Sequence, residues 1–337
     1  MPSESPVDSP TPNSSSHQAV LLARQQMTRQ IIGQKTLLDR LFIALLSDGH
    51  LLVEGAPGLA KTRAVNTLAE LIEGDFQRIQ FTPDLLPADL TGTEIWQPEN
   101  GQFSFKSGPL FHNIILADEI NRASAKVQSA LLESMAERQI TVGNTTHALP
   151  SLYMVMATQN PIEQEGTFPL PEAQLDRFLL HVNVGYPTIE EETKILRLNQ
   201  AEATRSLQPE KLEDTKQMLS EKMLNQARKE VLEVHLSPAV ERYMVELVVA
   251  TREPSRYDAS LSKYLEYGAS PRATLALNRT ARAHAWLQGR DYVSPGDVQA
   301  MLPDVLRHRV ILSYQAQAEG IDVDQFVGRL LDLVPVA

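Results

Sequence analysis

Among the 337 residues, the stretch Gly55-Ala56-Pro57-Gly58-Leu59-Ala60-Lys61-Thr62 constrains the fold most. It follows a strand-like run, Leu51 to Glu54, and opens a helical pattern from Arg63 to Leu71. A small-residue loop at this junction lets backbone amides converge at a helix N-terminus, and the lysine adds a cation; together these are what a triphosphate such as ATP requires. Lys61 is expected at the β and γ phosphates and the Thr62 hydroxyl at a Mg²⁺ position. Ala60 departs from the general GxxxxGK[ST] pattern, which has glycine there; Gly58 lies nearby and alanine removes little room. The bland alternative is a strand-to-helix turn that binds nothing, and the flanking strand and helix weigh against it.

Ile114-Ile-Leu-Ala-Asp118-Glu119 is an apolar run ending in two adjacent carboxylates. A buried strand delivers its last side chains to the carboxyl edge of the sheet, the edge where a phosphate loop sits. Asp118 suits a hydrated Mg²⁺, and Glu119 can accept a proton from an attacking water. Further apolar runs at Arg78 to Phe81, Tyr153 to Ala157 and Phe178 to Val184, with helices between, predict an α/β fold: a five-stranded parallel sheet between helices.

From Thr188 the strand signals stop. Val240, Tyr243, Met244, Leu247 and Val248 form a helical stripe, and Ser237-Pro238, Ser270-Pro271 and Ser294-Pro295 read as capped helix starts, so an all-α second domain is expected. The expected division is a disordered Pro/Ser-rich tail at 1–16, an α/β nucleotide-binding domain at 17–187 with two hairpin inserts, and a helical domain at 188–337. The hairpins are centred on Asn100-Gly101 and Gly143-Asn144, dipeptides that tolerate positive φ.

The chain has no cysteine, which removes disulfides and thiolate metal sites, and its eight histidines show no zinc-ligand spacing. A net charge of -11 disfavours general binding to a phosphate backbone. No apolar run approaches the roughly 20 residues of a membrane-spanning helix, and the Pro/Ser-rich, acidic amino terminus does not read as a secretory signal. A cytoplasmic location is the expectation.

Asp118-Glu-Ile-Asn-Arg-Ala123, Ala157-Thr-Gln-Asn160-Pro161, the segment Gly166 to Phe178 containing Leu-Asp-Arg177-Phe, and Gly268-Ala-Ser-Pro-Arg272 occur in that order. The series resembles the motif set of the MoxR branch of AAA+ ATPases, over roughly Gln26 to Arg309. The resemblance implies that Asn160 is a sensor of the γ-phosphate that orients the attacking water. It makes Arg177 a finger that reaches the neighbouring subunit's nucleotide, and Arg272 a second sensor on a helical lid. It also places Gly33 and Gln34 at the adenine pocket. The bland readings are a turn asparagine at 160, a surface ion pair of Arg177 with Asp176 or Glu172, and a solvated helix arginine at 272.

The same resemblance implies a homo-oligomeric ring, a hexamer, which couples Mg-ATP hydrolysis to remodelling, maturation or cofactor insertion of a client protein. It implies a separate partner carrying a von Willebrand factor A domain, and hairpins facing a central channel. A metal-chelatase-type motor subunit shares these inserts and stays open as an alternative, as does a nucleic-acid-dependent motor, for which basic segments or an appended DNA-binding domain would be expected. A nucleotide switch with little turnover is a further reading, against which Glu119, Asn160 and Arg177 argue together. A transcription activator of the enhancer type would need a GAFTGA loop, absent here.

Overall fold

The computed structural model describes residues 14–99, 101–161, 166–206 and 218–336. The chain divides into two compact units, one of Leu22–Glu221 and one joining Lys222–Ala337 to the chain before Leu22.

Helices α1 (Ser15–Gln30) and α2 (Lys35–Leu46) precede β1 (Leu51–Gly55), α3 (Lys61–Leu71) and β2 (Phe76–Gln80). Then come α4 (Pro87–Thr91), a hairpin of β3 (Gly92–Gln97) and β4 (Gln102–Ser107), β5 (Ile114–Asp118) and α5 (Ala125–Glu137). A second hairpin, β6 (Gln139–Val142) and β7 (Thr145–Ala148), leads to β8 (Met154–Gln159), α6 (Glu172–Leu175), β9 (Leu180–Val184) and α7 (Ile189–Ser206).

Five strands form one parallel sheet in the order β2-β5-β8-β1-β9. Alternation along the strands divides the apolar residues between two covered faces. Leu52, Ile115, Ala117 and Val155 share a core with Leu131 and Met135 of α5, while α2 and α3 contact β1, β9 and β5. Because all strands run the same way, the last residues of β1, β5 and β8 reach one edge, with Glu54 opposite Gln159 and Gln80 opposite Asp118.

Both hairpins form. Asn100 lies outside the described residues; Gly101 and Gly143 hold their turns. The hairpins touch each other: Phe105 of β4 stacks on His147 of β7 with ring centroids 4.0 Å apart, and Phe111 meets both rings edge-on. At the outer end of the first, Trp96 and Phe103 pair edge-to-face, both largely exposed.

The second unit contains α8 (Glu221–Glu233, all but its first residue), α9 (Pro238–Ala250), α10 (Pro271–Leu287), α11 (Pro295–Leu306), α12 (Tyr314–Ala318) and α13 (Val323–Leu333). Ser237, Ser270 and Ser294 occupy the N-cap positions of α9, α10 and α11, with proline next, and the stripe from Val240 to Val248 is buried. The unit also has a short antiparallel pair, β10 (Leu265–Tyr267) with β11 (Ile311–Leu312), so it is helical but not purely so.

Two boundaries differ from the sequence expectation. Ser15 and Ser16 belong to α1 rather than to a disordered tail: buried Glu230 accepts the hydroxyls of Ser14 at 2.7 Å and Ser16 at 2.6 Å, and Ser14 Oγ accepts the His17 amide. The rest of the tail expected at 1–16, residues 1–13, lies outside the described residues. The units part after Glu221 rather than at 187/188, because the segment after α7 returns to the α/β unit, where the Met218 and Leu219 amides donate to Leu71 O and the Glu73 amide donates to Leu219 O. Among the described residues no helix is long and apolar enough to cross a membrane.

Candidate nucleotide-binding site

The loop after β1 is shaped by its backbone. A β-carbon on Gly55 would lie 2.7 Å from Val184 O, so β1 and β9 approach here only because residue 55 is glycine. Gly58 (φ 82°) and Ala60 (φ 56°) are left-handed, the second a strained state for a residue with a side chain, and they turn the chain into α3. Lys61 begins that helix and folds back so that Nζ donates to Gly55 O at 2.5 Å. Burial lowers its pKa, while Asp118, Glu119 and Glu54 oppose the shift.

Asp118 closes β5. Its Oδ1 accepts the Thr158 hydroxyl at 2.6 Å, and its Oδ2 accepts Arg78 Nη2 at 2.6 Å and Nε at 3.1 Å. Glu119 has a left-handed backbone (φ 57°), its amide donates to Thr158 Oγ1 at 2.9 Å, and its Oε2 accepts Gln80 Nε2 at 2.8 Å and Arg122 Nη1 at 3.1 Å. Asn160 follows β8 and is 7% exposed.

Residues Pro57 to Thr62, Asp118, Glu119 and Asn160 line one cleft of about 410 Å³ with Arg63, Arg78, Thr158 and Gln159. Next to it, sharing Pro57 to Ala60, is a pocket of about 500 Å³ bounded by Ile31, Gln34, Tyr186, Ile195 and Leu196. Gln34 thus lines a cavity suited to a flat apolar group, with its Nε2 directed at Gly185 O; Gly33 lies beside it against Pro187. A carboxylate and a hydroxyl, Asp118 and Thr62, in one cleft are hard oxygen donors of the kind Mg²⁺ takes, and the open loop beside Lys61 fits a polyphosphate.

Arg177 is in the same unit but does not line the cleft. It lies just past α6, exposed, and among the described residues its guanidinium makes no hydrogen bond or ion pair. Arg272 is exposed in the first turn of α10, in the other unit, with its amide on Ser270 Oγ. Arg78, Gln80 and Thr158 escaped the sequence reading. Their one signal was a polar residue at alternate positions of β2 and a threonine inside the apolar run of β8.

A phosphate loop at the carboxyl edge of a five-stranded parallel sheet, followed by a helical lid, defines an AAA+ nucleotide-binding protein. The family profile described as "ATPase family associated with various cellular activities (AAA)" matches residues 50–180, and the AAA lid domain profile matches residues 259–330. Chaperone MoxR1 of Mycobacterium tuberculosis is 46% identical over 92% of this chain and 80% of its own length, and protein MoxR of Paracoccus denitrificans is 33% identical over 91% and 93%. A crystal structure of a candidate ATPase from Cytophaga hutchinsonii superposes with a TM-score of 0.87 at 44% identity, covering 96% of each chain. The chain belongs to the MoxR family of AAA+ ATPases, one relative of which is named a chaperone, and the MoxR relatives favour neither the chelatase-type nor the nucleic-acid-dependent reading.

Proposed function

We propose that the chain binds ATP with its base in the pocket beside Gln34 and its phosphates along Gly55–Thr62, and hydrolyses it. Gly33 belongs to the turn that shapes the base pocket. The convergence of Lys61, Asp118, Glu119 and Asn160 on one cleft carries this reading. Loop amides and Lys61 hold the phosphate oxygens, for which Lys61 must leave Gly55 O. Asn160 orients the attacking water, and the Glu119 carboxylate accepts its proton. Thr62 and Asp118 would hold Mg²⁺, which when bound neutralises charge on the phosphates.

Arg177 acts in trans. Its exposed position outside the lining of its own cleft suits a finger that completes a neighbour's site, so turnover requires a homo-oligomer, a hexameric ring in this reading. Arg272 senses the γ-phosphate from the lid. The two hairpins face a central channel, and hydrolysis drives remodelling, maturation or cofactor insertion of a client together with a von Willebrand factor A domain protein. A cytoplasmic location is part of this reading, supported by the bacterial MoxR relatives.

The test is equilibrium binding of a fluorescent adenine nucleotide, with and without Mg²⁺, followed by phosphate-release kinetics. Binding without turnover would reduce the reading to a nucleotide switch, and absence of binding would end it.

A further inference from the structure

Asp118 and Glu119 are not independently held. Arg78 and Gln80 both lie on the face of β2 opposite buried Ile79, and they form a chain of hydrogen bonds from one carboxylate to the other. Arg78 presents Nε and Nη2 to the same oxygen, Asp118 Oδ2. Its Nη2 also donates to Gln80 Oε1 at 3.1 Å. That bond fixes the carboxamide orientation, since an oxygen accepting from Arg78 leaves the Gln80 NH₂ to donate to Glu119 Oε2.

The remaining Asp118 oxygen, Oδ1, is held by the Thr158 hydroxyl. A divalent cation approaching Asp118 therefore meets a guanidinium already on Oδ2, and two cations on one carboxylate oxygen repel. Asp118 is 13% exposed and Arg78 is 50% exposed on an edge strand, so the arginine is the partner that can withdraw into water without breaking the ladder.

We propose that Arg78 is a positioning residue that competes with the divalent cation for Asp118 Oδ2. Arg78 thus weakens the apparent affinity for Mg²⁺ in exchange for a carboxylate pair that is held while the metal is absent. The inference rests on Asp118 being the metal-side carboxylate.

The experiment is a Mg²⁺ titration of fluorescent ADP binding by the full chain, with wild type, Arg78→Ala, Arg78→Lys and Asp118→Asn compared. Arg78→Ala is expected to lower the half-saturating Mg²⁺ concentration about three- to tenfold, a modest shift because half of the arginine is in water. Arg78→Lys should fall between, since one ammonium cannot reach Asp118 and Gln80 with the same geometry. Should Arg78→Ala fail to fold, Arg78→Gln carries the same comparison.

An unchanged Mg²⁺ dependence in Arg78→Ala, with Asp118→Asn weakened, overturns the competition while sparing the metal assignment. A wild-type Mg²⁺ dependence in Asp118→Asn overturns the assignment itself. Weaker ADP binding by Arg78→Ala in EDTA would mean that the arginine contacts phosphate, and would also overturn the proposal.

Discussion

The Thr158 hydroxyl joins the two acidic residues of the site, donating to Asp118 Oδ1 at 2.6 Å while accepting the Glu119 amide at 2.9 Å. It anchors the left-handed turn that points Glu119 into the cleft, so the position of that carboxylate is fixed by β8 as well as by β5. Removing the proposed base without disturbing this anchor is therefore feasible. Glu119→Gln is expected to keep nucleotide affinity and lose on the order of 10²- to 10⁴-fold in turnover, read as ATP retained on the protein in a filter-binding assay.

Arg177→Ala is expected to bind ATP as the parent does and to hydrolyse it on the order of 10³-fold more slowly. Mixing it with Glu119→Gln should restore part of the turnover, because a mixed assembly pairs an intact finger with an intact base. Steady-state phosphate release across mixing ratios measures this, and parental hydrolysis by the single mutant would remove Arg177 from the mechanism.

The α/β unit should lose stability in mild acid through His50. The ring is fully buried: Nδ1 accepts the Val155 amide at 3.1 Å and Nε2 donates to Met135 O at 3.2 Å, so the remaining site for a proton is already used. Burial, helped by the nearby Arg138 charge, pushes its pKa down to about 4. Between that value and the ordinary 6.5 the unfolded chain binds more protons than the folded one, so stability falls as pH drops through this window, by up to roughly 3 kcal/mol. Urea unfolding at pH 7, 6, 5 and 4.5 checks the slope, which should flatten in His50→Gln.

In the helical unit, Asp297 is the residue whose loss should cost most. It is 1% exposed and accepts from Arg290, from His284 and from both the amide and hydroxyl of Ser294. Burial opposes its ionisation, but these donors outweigh it and hold the carboxyl well below the usual range. Asp297→Ala leaves Arg290 unpaired and α11 without its capping carboxylate. The expected loss is about 3 kcal/mol in chemical denaturation, with Asp297→Asn recovering part of it.

Deleting the outer part of the first hairpin, Trp96 to Phe103, is expected to abolish client remodelling with nucleotide affinity unchanged. The segment shares no lining residue with the cleft. Simultaneous loss of nucleotide binding would sink the assignment of this hairpin to client handling.

Much of this architecture can be read from residue order because its signals are local. Leu51–Thr62 and Ile114–Glu119 each carry strand, turn and charge within a dozen positions, and the Ser-Pro pairs mark helix starts regardless of what packs on them. What escaped depends on distance in sequence. Arg78 bonds Asp118 across 40 residues and Ser16 bonds Glu230 across 214, so nothing beside Arg78 or Ser16 announces the partner. The strands β10 and β11, three and two residues long, are too short to set up an alternation that could be seen. Arg177 and Arg272 were proposed from motif order, and the roles proposed for them involve a neighbouring subunit and a lid, which no local sequence signal describes.

The stack of Phe105 on His147 makes two loops that are distant along the chain into one mechanical part. A pull on the exposed Trp96–Phe103 tip reaches β7, and from there β6 and the end of α5, through aromatic contact instead of the peptide backbone. Under the proposed function, a client tugging at one hairpin would thereby strain both, and the grip on it would have two points.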